Sequence, residues 1–589
     1  MRWLVCALLL IATGVEANSD DYITHYEASG YKATPRYAET IEYSKKLADG
    51  SPWLHYTTFG KSPQGRDLPL LIANKDAKFS PEEAKRSDKV VLLVQAAIHS
   101  GEADGKDAGL MLLRDIAVTK KYKNLLDHAI VLFVPIFNVD GHERFSVYGR
   151  INQNGPEEMG FRVTAQRLNL NRDYLKADAP EMHAWLRLFN SWNPDFFIDC
   201  HVTDGADYQY VLTYILDLFG SMVPPLTGWT RDVYLAGVKG PMMDAGYEMF
   251  PYVYLLEWPN PKGGMKNWVS TPRFSTGYTA LRNRPGLLIE THMKKDYKTR
   301  VTATYELLRQ TLVVLNAEYK GLKKAIADAD EFASGNELRG RLFPLQFVPS
   351  ERSRVIDFKG IEFDVVESDL TGGMWYKFNG KPTTFKIEYL EAQVPSVEAD
   401  LPDAYIIPLE WTSVIERLAL HGVQLSRISE PRSLSVDSYR FEDVSWAAVP
   451  FEGRHPLTFT TVEIRGERTY PAGSVVVDMN QPNAQVAAHI LEPGGPDSYV
   501  YWGFFNTVFE QKEYSESYVM EKMAREMLAK DEALGAAFEE KKKGDPEFAA
   551  DPRAILNWFY QHSPYWDEQK DVYPVGKIYG GDALKSLGL

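Results

Sequence analysis

Four short apolar runs constrain the fold of this 589-residue chain more than any other feature. They occupy Val90–Gln95 and residues 130–135, 196–199 and 286–290, are rich in Val, Ile, Leu or Phe, and are too short for helices. Longer amphipathic stretches lie between or after them, at residues 105–118, 180–190 and 302–325. Buried strands that alternate with helices specify an α/β domain, with a mixed, largely parallel central sheet flanked by helices, over residues 18–330. Each run also closes on polar groups that periodicity alone does not require. The first leads to His99-Ser100-Gly101-Glu102, the second to Asn138-Val139-Asp140-Gly141, the third to Asp199-Cys200-His201, and the fourth to Glu290-Thr291-His292. Ligands bind outside the carboxyl ends of strands in open α/β sheets, so these four sets predict one shared crevice.

After about residue 335 the texture changes. Segments at 354–367, 384–389, 404–411, 457–465 and 474–478 read as strands separated by Gly, Pro and Asp turns, with one helical stretch at 413–421. This predicts a β-rich domain over 331–510, then a helical region over 511–589 in which Asp551-Pro552 caps a helix. At the other end, Arg2 followed by an apolar run to Val15 and a small residue at position 17 reads as a secretory signal peptide over 1–17. That run is too short to span roughly 30 Å of hydrocarbon.

Composition narrows the chemistry. The chain carries 80 acidic and 65 basic side chains, a formal charge of −15, which argues against nucleic acid as a partner. It has two cysteines, and removal of the first 17 residues takes Cys6 with them and leaves Cys200 alone. Neither a disulfide framework nor a thiolate metal centre can be built, so any metal rests on His, Asp and Glu. Cys200, single and at the end of an apolar run, is expected to be inert packing. No further run reaches membrane length, so no integral membrane segment is expected in the mature chain. The expected location is secreted or periplasmic, and the lack of any Asn-x-Ser/Thr acceptor points to a bacterial envelope.

His99 and Glu102 can converge on one metal from a tight loop, with His201 about a hundred residues later as third ligand. Two imidazoles and one carboxylate leave a zinc position open for water, as catalytic sites do. His-x-x-Glu alone is a weak signal; its place after a buried strand and before Ala103-Asp104-Gly105 improves it.

With these pieces in order, residues 36–297 resemble the zinc metallocarboxypeptidases related to carboxypeptidase A. The order of motifs is kept: Gly60-Lys61-Ser62-Pro63-Gln64-Gly65-Arg66, His99-x-x-Glu102, Asn138-Val139-Asp140-Gly141, Leu170-Asn171-Arg172-Asp173, Asp199-Cys200-His201 and Ile289-Glu290-Thr291. The resemblance implies one zinc ion held by His99, Glu102 and His201, Glu290 as catalytic carboxylate, and Asn171-Arg172 as binder of a substrate's terminal carboxylate. It implies an oxyanion arginine before that pair: Arg162 is favoured, Arg150 is a rival that also suits substrate binding, and Arg167 is weaker. It implies an active-site tyrosine between His201 and Glu290, assigned to Tyr278. Two departures stand out: Gly101 occupies a position where the digestive members carry arginine, and residues 151–166 lengthen the approach to Asn171-Arg172.

The leading reading is a secreted carboxypeptidase acting on peptides with a free C-terminus. Two others compete with it. One is a zinc amidohydrolase of the same fold acting on cell-wall peptides or acyl-amino acids. The other is an inactive binding protein whose β-rich tail does the work.

Overall fold

The computed structural model describes residues 19–581 and residue 584. The signal-peptide expectation for 1–17 lies outside the described residues. The chain divides into two compact units, one of residues up to 403 with 412–426 and 477–498, the other of 404–411, 427–476 and the chain from 499 onward.

In the first unit eight strands form one mixed sheet. They are β1 (Leu54–Lys61), β2 (Asp67–Ala73), β3 (Val90–Gln95), β4 (Ala129–Val134), β5 (Phe196–Val202), β6 (Leu212–Leu216), β7 (Met249–Pro251) and β8 (Gly286–Thr291). Their order is β1-β2-β4-β3-β5-β8-β6-β7. The four apolar runs of the sequence are β3, β4, β5 and β8, side by side at the centre. They pair in parallel, whereas β1, β2 and β6 join antiparallel. Among its helices are α1 (Tyr37–Asp49), α2 (Asp104–Leu113), α3 (Pro180–Trp192), α4 (Ser275–Leu281) and α5 (Tyr297–Ser334).

Alternation along β5 shows why both faces need covering. Phe196, Ile198 and Cys200 join Leu92, Val94, Val131 and the α5 residues Val301, Leu307 and Leu315 in one apolar cluster. Phe197 points the other way, onto Trp185 of α3, with ring centroids 5.7 Å apart. A strand buried on both faces must be apolar at every position, which is why the central strands read as continuous runs.

Helix α5 also carries a polar anchor. The fully buried Arg300 meets Asp104 at 2.9 Å and donates to the carbonyls of Asn154, Lys295 and Gly155 at 2.7–2.8 Å. Thr291 at the end of β8 donates to the same Asp104 at 2.6 Å, so one ion pair ties α2, α5 and β8 together.

Part of the chain after residue 330 packs in the first unit. Strands Arg354–Glu367 and Met374–Leu390 form a long hairpin whose end pairs with the first unit, Tyr389 opposite Met265. Phe358, Ile387 and Tyr389 share an apolar cluster with Tyr208, Tyr210 and Leu255. Two further tail segments belong to the same unit, α6 (Thr412–Leu420) and α7 (Ala484–Leu491). Strand pairing joins residues more than a hundred positions apart, so a change of texture along the chain need not mark the edge of a compact unit.

The second unit pairs Ala404–Ile407 with Gly576–Ile578, then Arg432–Trp446 with Leu457–Tyr470. Its helices Ser517–Lys530, Glu532–Gly544 and Pro552–Gln561 bury Met520, Ala524, Phe538 and Phe559. The last begins as the sequence suggests, with Asp551 accepting from the Arg553 and Ala554 amides and proline at its first position. Among the described residues no helix is long and apolar enough to cross a membrane.

One buried carboxyl in the first turn of α3 has a measurable consequence. Glu181 is fully buried, neither oxygen has a hydrogen-bond partner among the described residues, and burial pushes its pKa up to about 7. Between the unfolded value of 4.5 and about 7 the folded state binds a proton that the unfolded state has lost, so stability falls as pH rises through that window. Glu181→Gln is expected to remove this slope and to raise stability at pH 8 by about 1–3 kcal/mol. Urea unfolding at pH 5 and pH 8 checks it; parallel pH profiles for both proteins would refute the assignment.

Candidate active site

Parallel register brings the candidate residues together. Gln95 lies opposite Asp199, and His201 opposite Glu290, so the carboxyl ends of β3, β5 and β8 adjoin. The chain leaves β3 in a turn closed by the Glu102 amide on the His99 carbonyl at 2.8 Å. Helix α2 then starts hard against β5: a Cβ on Gly105 would sit 2.3 Å from Cys200 Cβ. Only glycine permits that approach, and it carries Glu102 onto His201.

The three buried side chains meet through defined atoms. His99 Nδ1 is 3.0 Å from Glu102 Oε1, His201 Nδ1 is 3.1 Å from Glu102 Oε2, and the two Nδ1 atoms are 3.2 Å apart. The opposite ring nitrogens are anchored outward, His99 Nε2 on Asn169 Oδ1 at 3.0 Å and His201 Nε2 on Asp199 at 2.9 Å. The Asn169 oxygen also accepts the Asn171 amide at 3.0 Å, which fixes it as an acceptor and His99 Nε2 as the donor. Both rings thus direct Nδ1 at one point. Tetrahedral zinc bonds of about 2.0–2.1 Å set neighbouring ligand atoms about 3.3 Å apart, so this donor set fits the ion. His99, Glu102 and His201 are the residues that can hold it.

The electrostatics suit a cation. Burial lowers His99 to about 4. Burial would lower His201 too, yet Asp199 and Glu102 push it up to about 10. Burial opposes the charge on Glu102, but His99 and Arg150 hold its carboxyl well below the usual range. The two imidazoles move in opposite directions because burial, with Arg162 nearby, outweighs Glu102 at His99, whereas His201 touches both Asp199 and Glu102.

Around this centre lies a cavity of about 200 Å³. Glu290 lines it; burial, with Glu102 and Asp204 adding, pushes its carboxyl up to about 8, and Oε2 is buried without a hydrogen-bond partner among the described residues. Arg150, Arg162, Asn171 and Arg172 line it as well. Arg150 reaches Glu102 at 2.9 Å and the Val202 carbonyl at 3.4 Å. Arg162 approaches Glu102 only to 3.6 Å and its side chain is 37% exposed. A Cβ on Gly101 would meet Arg150 Cγ at 2.5 Å, so the Arg150 stem and any side chain at 101 exclude each other. Arg172 lies over the Phe274 ring at 4.2 Å, and Asn171 accepts from the Ser275 amide at 3.2 Å.

Two expectations need correction. Tyr278 is not in the cavity: it is fully buried in α4, edge-on to Trp185 and Phe189, with its hydroxyl 3.0 Å from His421 Nδ1. The tyrosines at the site are Tyr252 and Tyr254, which continue through Trp268 to Phe274 as one aromatic wall. The signal in the sequence was Tyr252-Val253-Tyr254, whose alternation puts both rings on one side of an extended strand. The second correction concerns the four polar ends: only three supply the cavity. Asp140 instead accepts from Ser62 Oγ at 2.8 Å, Arg66 at 2.7 Å and the Gln64 amide at 3.1 Å, while His292 is enclosed beside Tyr208. Cys200 is buried as expected, its thiol pushed well up by burial.

Residues 40–271 match the sequence profile of the family described as zinc carboxypeptidase. Carboxypeptidase 2 of Trichophyton rubrum is 24% identical over 483 residues, covering 80% of this chain and 84% of that protein. Probable carboxypeptidase 2 of Arthroderma benhamiae is 24% identical over 474 residues, covering 78% and 84%. A metallo-carboxypeptidase of Pseudomonas aeruginosa, solved with (2-guanidinoethylmercapto)succinic acid, is 18% identical, covers 48% of this chain and 69% of that one, and superposes with a TM-score of 0.36. The fungal alignments are too long to end at residue 330, so the likeness includes part of the tail. They also overturn the expectation of a bacterial envelope: the curated relatives that match are fungal. That expectation rested on missing glycosylation acceptors, and folding requires none.

Proposed function

We propose that this chain, whose residues 40–271 match the zinc carboxypeptidase family, is a hydrolase that removes the C-terminal residue of peptides ending in a free carboxylate. The observation that carries this reading is the pairing, in one cavity, of the His99–Glu102–His201 cluster with Asn171 and Arg172. A zinc ion held there supplies a Lewis acid and lowers the pKa of water toward about 7.

The chain's own groups do the rest. Arg172 offers a planar fork to the terminal carboxylate, and Asn171 adds a neutral donor. Arg172 is half-buried against Phe274, so its charge works in a drier setting than at a free surface. Glu290 takes a proton at its carboxylate from the attacking water and passes it to the leaving amine. Burial raises its pKa and so strengthens the carboxylate as a base, while a cation bound nearby would offset that burial and keep it ionised. Arg162 steadies the charge that develops on the carbonyl oxygen, because Arg150 is already engaged by Glu102 and Val202. The aromatic wall from Tyr252 to Phe274 keeps water from the reacting bond.

The test is release of amino acids from a mixed peptide library, with and without a chelator. Free C-terminal residues that appear only with metal, and not from peptides ending in an amide, are expected. Internal cleavage, or equal turnover of amidated peptides, would overturn the reading.

A further inference from the structure

Arg172 does not stand alone in the cavity; it rests on Phe274, and Phe274 follows directly on Arg273, which is held from the tail. The Arg273 amide donates to Asp497 Oδ2 at 2.9 Å, its Nε to Asp497 Oδ1 at 2.5 Å, and its Nη2 to the Pro496 carbonyl at 2.8 Å. Asp497 is fully buried, and the Arg273 side chain is 14% exposed. The carboxylate thus grips backbone and guanidinium of one residue at once, which fixes both the position and the direction of the chain there.

The grip is rigid on both sides. Asp497 sits in a compact turn after α7, with the Gly495 amide on the Glu492 carbonyl, the Ser498 amide on the Gly495 carbonyl, and Ser498 Oγ on the Pro493 carbonyl. On the cavity side the Arg273 carbonyl accepts the Tyr174 amide, two residues beyond Arg172. Phe274 caps the front of α4, stacks edge-on with Trp268 at 4.7 Å and carries the Arg172 guanidinium at 4.2 Å. Asp497 lies far outside the 40–271 match, in a segment that belongs to the same compact unit as the site.

We propose that Asp497 is a positioning residue: through Arg273 it sets Phe274 against Arg172, so the tail segment 477–498 fixes the geometry of the terminal-carboxylate binder. This rests on the reading of Arg172 as that binder. The physical reason for such a brace is that a guanidinium fork recognises a carboxylate only when its plane is held, and an unbraced loop end would let the Phe274 ring turn away.

The test uses the full zinc-loaded protein and a peptide ending in a free carboxylate. Asp497→Asn keeps the shape and weakens the charge-assisted bonds; Phe274→Leu removes the stacking ring and leaves the ion pair intact. Both are expected to raise KM by about tenfold with a smaller fall in kcat and zinc content unchanged; Asp497→Asn, which breaks a buried ion pair, also lowers the melting temperature. Arg172→Gln should raise KM further, and adding Asp497→Asn to it should cost nothing more. Unchanged KM in Asp497→Asn and Phe274→Leu, with Arg172→Gln impaired, would overturn the brace alone. Unchanged KM in Arg172→Gln would overturn the reading it rests on. A fall in kcat, zinc content and melting temperature together in Asp497→Asn would assign Asp497 to general stability and overturn the proposal.

Discussion

Glu290→Gln is expected to lower kcat by about 10²–10⁴-fold with zinc content unchanged. Glutamine has the size of glutamate but no basic oxygen, so the substitution removes the proton shuttle and little else. Glu290 stands apart from the ligand set formed by His99, Glu102 and His201, which is why the metal should remain. Its strand position is fixed by pairing on both sides, with His201 across β5 and Thr213 across β6, so the amide has no reason to move. Steady-state kinetics together with metal analysis checks it. Full activity would sink the role of Glu290 as base; loss of zinc alongside activity would make it a ligand.

His201→Ala is expected to have the larger effect on the metal. The imidazole touches both Asp199 and Glu102, at 2.9 and 3.1 Å. Removing it deletes a ligand atom and leaves two buried carboxylates facing each other without the cation between them. Zinc affinity should fall by more than about 100-fold, and hydrolysis should fall with it. The metal-free variant should also unfold at lower denaturant, by about 3–5 kcal/mol, because an uncompensated buried charge remains. Chelator competition measures the first effect and urea unfolding the second. A variant that holds zinc as tightly as the wild type would show that the cluster is not the metal site.

Much of the candidate site is legible in the sequence. His99, Glu102, His201 and Glu290 could be read because each follows a run of buried residues, and in this fold strand ends are where chemistry collects. Asn171 and Arg172 were read from their motif and line the cavity. Tyr278 was misplaced for a physical reason: its neighbours form the short helix α4, and the helical turn drives the ring into the core against Trp185 rather than toward the cavity. Asp140 was misjudged likewise, since a carboxylate at a strand end can equally serve a loop, here the one that carries Ser62 and Arg66. Nothing local marks Asn169 as the anchor of His99, because the contact joins residues seventy positions apart.

Short-range patterns along the chain specify the α/β class, the four central strands and the donor types of the candidate metal site. Those follow from short-range regularities: continuous apolar runs, their spacing, and a scarcity of cysteine that left only His and carboxylate as ligands. Only the tertiary structure decided which nitrogen of each imidazole faces inward, which tyrosines wall the cavity, and that Asp497 grips the loop beneath Arg172. Those depend on register and side-chain direction between segments far apart in the chain, and a one-residue change in either would alter them while leaving the pattern of the sequence intact.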